Sequence, residues 1–167
     1  MDIYQQFRAN KDEFFELDPH SPLTSEQKGS FMGLKYFPVD EDLIFELEIK
    51  KFEDQKMIQM QTSTGDLRTF VRYGRLHFKV EGVEASLIVY SNEYGFFIPF
   101  VDAQAGKETY GAGRYLDPEL DEDGKLILDF NLAYNPYCAY NELYSCPIPP
   151  AENRLSVAIK AGEKNFK

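Results

Sequence analysis

Arg114 and Asp129 are the residues in this chain whose types and spacing most suggest chemistry. Thr109–Leu116 and Lys125–Asn131 read as two strands joined by an acidic loop. Alternation puts Tyr110, Ala112, Arg114 and Leu116 on one face of the first, and Ile127, Asp129 and Asn131 on one face of the second. If the turn pairs residues near 117 and 126, Arg114 comes opposite or diagonal to Asp129. The other face of the second strand, Leu126-Leu128-Phe130, is wholly apolar. A guanidinium and a carboxylate in a confined space must be paired and hydrogen-bonded. They either brace the fold or grip a carboxylate or phosphate ligand, with Asp129 orienting the guanidinium.

A second polar concentration follows at once. Ala133-Tyr134-Asn135-Pro136-Tyr137-Cys138-Ala139-Tyr140-Asn141 leads to Cys146-Pro147-Ile148-Pro149-Pro150 and then Glu152-Asn153-Arg154-Leu155. Proline restricts the chain to few paths, and asparagine bonds its own backbone in turns. The segment reads as an ordered excursion, or as a stiff lid presenting Tyr134, Asn135, Cys138 and Tyr140 to a ligand.

Other motifs carry less. Gly111-Ala112-Gly113 resembles the start of a dinucleotide fingerprint, but Leu116 stands at the third glycine and Pro118 precludes the required helix. Two such glycines more often mark a bulge or a close backbone approach. Glu119, Asp121, Asp123 and Gly124 imitate a calcium loop, yet Phe130 occupies the bidentate position. Cys138 and Cys146 lie farther apart than zinc-ribbon pairs, and His20 and His77 are the only histidines that could complete a site, so no metal is expected. The cysteines read as free thiols rather than a bridge.

The elements that must position these residues are mostly strands. Residues 1–17 form a helix ended by Asp18-Pro19, and Ser25–Phe31 a second, with Gly33 able to close it. Beyond Pro38 the period becomes two. Leu43–Lys50, Met57–Thr62, Leu67–Tyr73, Arg75–Val80, Glu84–Tyr90, Gly95–Phe100 and Arg154–Lys160 read as strands separated by turn signals. The expected fold is mainly β. It is an antiparallel barrel-like or strongly curved sheet with one or two N-terminal helices, because a sheet this long curls or closes to remove its edges. The chain is expected to be a single domain, with a helical segment 1–35 packed on the β part 40–164.

Composition bounds the function. Eighteen basic residues against 28 acidic give a net charge of −10, with no Lys/Arg cluster beyond Lys50-Lys51. Nucleic acid and anionic membranes are therefore unexpected partners. The start Met1-Asp2-Ile3-Tyr4 has neither a basic nor an apolar region of the signal-peptide type. No run approaches the length of a membrane span. A cytoplasmic setting, where thiols stay reduced, is expected.

Several stretches together resemble a known signature. Thr109–Leu116, Leu128-Asp129-Phe130-Asn131, Ala133–Tyr140, Cys146–Leu155 and Ala161-Gly162-Glu163-Lys164 resemble the bacterial family called domain of unknown function 1684. The similarity is specific from about Phe100 to Lys164 and weaker at Phe31–Asp40. It implies family membership without an established activity, and it places the polar residues above within the family's signature.

The preferred reading is a small-molecule-binding domain. Its candidate ligand-binding residues are Tyr110, Arg114, Asp129, Asn131, Tyr134, Asn135, Cys138, Asn153 and Arg154, and its partner is a small anionic or polar ligand. Two other readings stand beside it: a hydrolase using Asp129 or Cys138, and an interaction module in which Arg114 and Asp129 only brace the fold. No pattern names a cofactor or an oligomeric state.

Overall fold

The computed structural model describes residues 2–167. Helix α1, Ile3–Leu17, starts at a capping box in which Asp2 accepts the backbone N–H of Gln5 and the Gln5 side chain accepts that of Asp2. Helix α2, Ser25–Ser30, repeats the device with Thr24 and Gln27. Phe15 of α1, Leu23 and Tyr140 form a small core of their own, so the helical segment is packed on the chain's second half.

The strands are β1 (Ile44–Leu47), β2 (Lys50–Lys51), β3 (Met57–Gln61), β4 (Leu67–Val80), β5 (Val83–Asn92), β6 (Gly95–Phe100), β7 (Arg114–Leu116) and β8 (Leu126–Asp129). A six-stranded ladder runs β2-β4-β5-β6-β7, with β3 also on β4. Strands β1 and β8 pair separately. All of these pairings are antiparallel. The mainly β expectation holds, but the ladder does not close into a barrel. Inward side chains of both ladders, among them Leu76, Phe78, Leu87, Ile98, Leu126, Leu128 and Phe130, build one apolar core. The apolar face of β8 is thus where alternation put it.

Four elements differ from the sequence expectation, the first being Leu43–Lys50, which divides between β1 and β2 on separate ladders. Leu67–Val80 is one strand rather than two, because the chain at Gly74 does not turn: Tyr73 bulges out, and Val89 stays paired with Gly74. A Cβ there would lie 2.7 Å from the carbonyl oxygen of Lys50, so β2 can cross only over a glycine. Of Thr109–Leu116, only the last three residues are strand. Arg154–Lys160 joins no ladder. It is tied by Leu155 N–H to Val101 O, Ala103 N–H to Val157 O, and Ile159 N–H to the Asp102 carboxylate at 2.7 Å.

Candidate functional site

The expected meeting of Arg114 and Asp129 does not occur. Strand β7 pairs with β6, placing Arg114 opposite Phe100, whereas β8 pairs with β1, placing Asp129 opposite Ile44. Among the described residues the two segments share no bridge, and beyond its partner in β1 Leu126 bridges only to Leu120 of the loop. The acidic loop is therefore not a hairpin turn joining paired strands, and the shared face assumed from alternation does not exist.

Arg114 instead is 1% exposed and bonded to its own chain. Its Nη1 donates to the carbonyls of Ala161 (2.5 Å) and Glu163 (3.0 Å), and its Nη2 donates to that of Ile159 (2.9 Å). Asp102 lies 3.9 Å away and supplies the counter-charge. Burial lowers the guanidinium to about 10, against the pull of Asp102 and Glu163, so it stays charged at neutral pH. Asp102 also accepts from Thr109 Oγ1 and Ile159 N–H. Glu163 accepts from Asn135 N–H and Tyr140 Oη, with Lys11 at 3.3 Å. These groups staple the strandless C-terminal segment to the sheet.

The other candidates separate in the same way. Asn153, fully buried, accepts from Ile88 N–H and donates to Ile88 O and Pro99 O. Asn131 bonds the backbone of Asp40 in both directions and also donates to Asp129. Asn135 donates its side-chain amide to Lys164 O. Arg154 is exposed and lines neither of the two cavities described below. Asp129 accepts from Tyr4 Oη at 2.5 Å and from Asn131. Burial, then the bond to Asp129, pushes the Tyr4 phenol up to about 12.

Tyr134, Tyr110 and Cys138 lead elsewhere. A cleft of about 480 Å³ opens beside the β5–β6 turn. Phe70 of β4, Phe96 and Phe97 of β6, Tyr115 of β7, Tyr94 of the turn, and Tyr134, Tyr137 and Tyr144 of the proline-rich excursion all line it. Phe70 stacks on Phe97 at 5.2 Å, and Phe97 meets Tyr115 edge-on at 4.8 Å. The wall is aromatic because β5 and β6 turn a second face away from the main core, and the excursion folds back against it. Ser63 N–H bonds Cys146 O, and Ile148 N–H bonds Gln61 O, which lays residues 146–148 along the end of β3. Tyr115 Oη donates to Pro147 O and fixes the other side.

Polar groups sit at two places on this cleft. Arg68 donates to Ser145 O at 2.6 Å and brings a guanidinium to the rim. Asp117 accepts from Tyr134 Oη at 2.5 Å. Burial raises the Asp117 carboxyl, and the phenol's hydrogen bond opposes that rise. Asp117 and Tyr134 also line a second hollow of about 430 Å³, with Phe7, Leu116, Leu120, Ile127, Leu132, Glu119 and Asp129. The Tyr134–Asp117 bond thus stands between two cavities, and the second has carboxylates without a cation.

Cys146 lies on the floor of the aromatic cleft, and Cys138 lies behind it. Cys138 N–H donates to Cys146 Sγ at 3.2 Å, and Tyr110 Oη is 3.8 Å from Cys138 Sγ. Both are free thiols, as expected. Sequence reasoning named Cys138 and Tyr134 but not Arg68, Phe97, Tyr115 or Asp117. No local period links those positions, since four separate segments converge on them. Glu46, Asp121 and Asp123 also bring their carboxylates within 4.8 Å of one another on the acidic loop. Nothing else there distinguishes them from solvated acids.

The fold and the cleft define a mainly antiparallel β protein with an aromatic hollow sealed by a C-terminal excursion. Residues 29–164 match the family described as protein of unknown function (DUF1684), and the chain belongs to that family. It is also similar to a solved structure, the solution NMR structure of an uncharacterized protein from gene locus rrnAC0354 of Haloarcula marismortui. The two are 34% identical, with a TM-score of 0.71, over 96% of this chain and 91% of that one. No curated protein matches.

Proposed function

We propose that the chain binds a small molecule with a flat apolar body and one anionic or polar end, and that the aromatic cleft is where it does so. The observation that carries this reading is eight aromatic rings lining a hollow of about 480 Å³ whose rim holds Arg68. Ligand sites are characteristically apolar hollows with a few placed polar groups. One bond to Ser145 O leaves most of the guanidinium's five donors free for a carboxylate or phosphate. The Tyr134–Asp117 pair at the far wall offers a second polar contact. Against a net charge of −10, an anion would be retained only by such a local cation.

No helix among the described residues is long and apolar enough to cross a membrane. Among the earlier candidates, Tyr134 stays in this reading, and Tyr110 and Cys138 support the floor. Arg114 and Asn153 serve the scaffold, their polar atoms being taken up by the chain itself. Native mass spectrometry of freshly purified protein, followed by titration with anilinonaphthalene sulfonate, tests the proposal. An aromatic sulfonate that binds wild type and is weakened by Arg68→Gln supports it. Equal binding by both proteins removes Arg68 as the anion contact, and no binding removes the cleft.

A further inference from the structure

We infer that Cys138 and Cys146 form a two-electron redox site, which reduces hydroperoxides reaching it through the aromatic cleft and closes to a disulfide. The reading of the cleft as a small-molecule site supplies the route, and the thiol geometry supplies the chemistry.

Three observations carry it. First, the two cysteines are held against each other by structure on both sides. Cys138 sits in the short helical turn Tyr137–Ala139, with its N–H on Cys146 Sγ at 3.2 Å. Cys146 is gripped from behind by Ser63, whose Oγ accepts Cys146 N–H at 3.1 Å and whose backbone N–H bonds Cys146 O at 2.9 Å. Second, proton donors converge on the sulfurs. The Tyr110 phenol lies 3.8 Å from Cys138 Sγ, and the Cys138 N–H donates to Cys146 Sγ. Such donors stabilise a thiolate, the form that attacks. Cys138 is drawn below the usual thiol range by its neighbour Cys146 first, against its own burial. Cys146 is pushed up by Cys138 and then by burial. Third, Cys146 reaches the cleft surface, while both sulfurs lie in an aromatic cluster with Tyr115, Phe97 and Tyr144. Such walls admit an apolar hydroperoxide.

The chemistry balances. A thiolate sulfur attacks the distal oxygen of ROOH, the O–O bond breaks, and the alkoxide takes a proton to leave as ROH. The sulfur is then a sulfenic acid. The second thiol attacks that sulfur, an S–S bond forms, and the hydroxyl leaves as water with the thiol proton. Two thiols lose two electrons in all, and one hydroperoxide gains them.

Both cysteines fall in one tryptic peptide, Leu126–Arg154, which contains no methionine. Full-length protein treated with one equivalent of cumene hydroperoxide is expected to lose both titratable thiols. That peptide should lose two hydrogen masses, and dithiothreitol should restore both. In Cys146→Ser, and in Cys138→Ser, the reaction should stop at a sulfenic acid that dimedone traps on the remaining cysteine. Two titratable thiols persisting in wild type, or an oxygen-adduct peptide with no disulfide, overturns the inference even if a variant does not fold. A parallel run with hydrogen peroxide separates the two proposals. Disulfide formation by both oxidants, with no aromatic sulfonate bound, keeps the redox site and removes the cleft reading. Sulfonate binding with inert thiols does the reverse.

Discussion

The Arg114 cluster and the aromatic cleft are both dense in polar and aromatic residues, and they use them oppositely. Around Arg114 the donors are spent on the chain's own carbonyls, those of residues 159, 161 and 163. Three of the guanidinium's five donors are taken in this way, and Arg114 lines neither cavity described above. Around the cleft, Arg68 commits one bond, and rings enclose a volume rather than fill it. A polar side chain whose capacity is consumed by backbone is holding the fold. One with spare capacity beside a hollow is available to a ligand.

The largest effect should come from breaking the first region. Arg114→Met leaves Asp102 without its counter-charge and three buried carbonyls without donors, which should cost about 3–5 kcal/mol in urea unfolding. If stability is unchanged while sulfonate binding is lost, the roles assigned to the two regions are reversed. Asn153→Ala removes three buried hydrogen bonds joining the excursion to β5 and β6. It should cost about 2–3 kcal/mol, read by the same method, with binding retained.

A pH dependence sharpens the contrast at smaller scale. Glu152 accepts both Arg72 nitrogens and the Tyr90 phenol, and the Arg72 bond foremost lowers its carboxyl below the usual range. A lowered carboxyl contributes stability that is present above its unfolded value of about 4.3 and lost as pH falls through the folded value. Glu152→Gln should therefore cost about 1 kcal/mol at neutral pH and converge on wild type in acid. A constant gap across pH would mean that packing, not charge, is at stake. The smallest stability effect belongs to the cleft. Tyr94→Ala, at an exposed turn position, should change stability by less than about 0.5 kcal/mol yet weaken sulfonate binding in a fluorescence titration.

The same contrast explains what could be read from sequence. Leu43–Lys50, Met57–Thr62, Glu84–Tyr90 and Gly95–Phe100 show a period of two, and strands lie there because alternate side chains enter the main core or, for Ile58 and Met60, a second cluster with Phe70, Ile88 and Tyr90. Asp18-Pro19 ends α1 for an equally local reason. Residues 102–108 and 130–153 have no such period, and the alternation of Arg154–Lys160 finds no ladder. They are set by side chains that reach distant backbone, such as Asp102 to Ile159 and Asn153 to Ile88. Alternation across Arg114 and Asp129 therefore misled, because it presumed a hairpin that the ladder assignments of β7 and β8 exclude. The cleft was illegible for a related reason: β4, β6, β7 and the proline-rich excursion each contribute a few rings, and no one segment signals the whole.

Backbone amide chemical shifts followed during titration with anilinonaphthalene sulfonate test the account most directly. Perturbations are predicted to gather at Arg68, at Tyr94–Phe97 and at Tyr144–Cys146, leaving residues 159–163 near Arg114 in place. Shifts centred on Arg114 and that segment, or spread evenly over the surface, would contradict it.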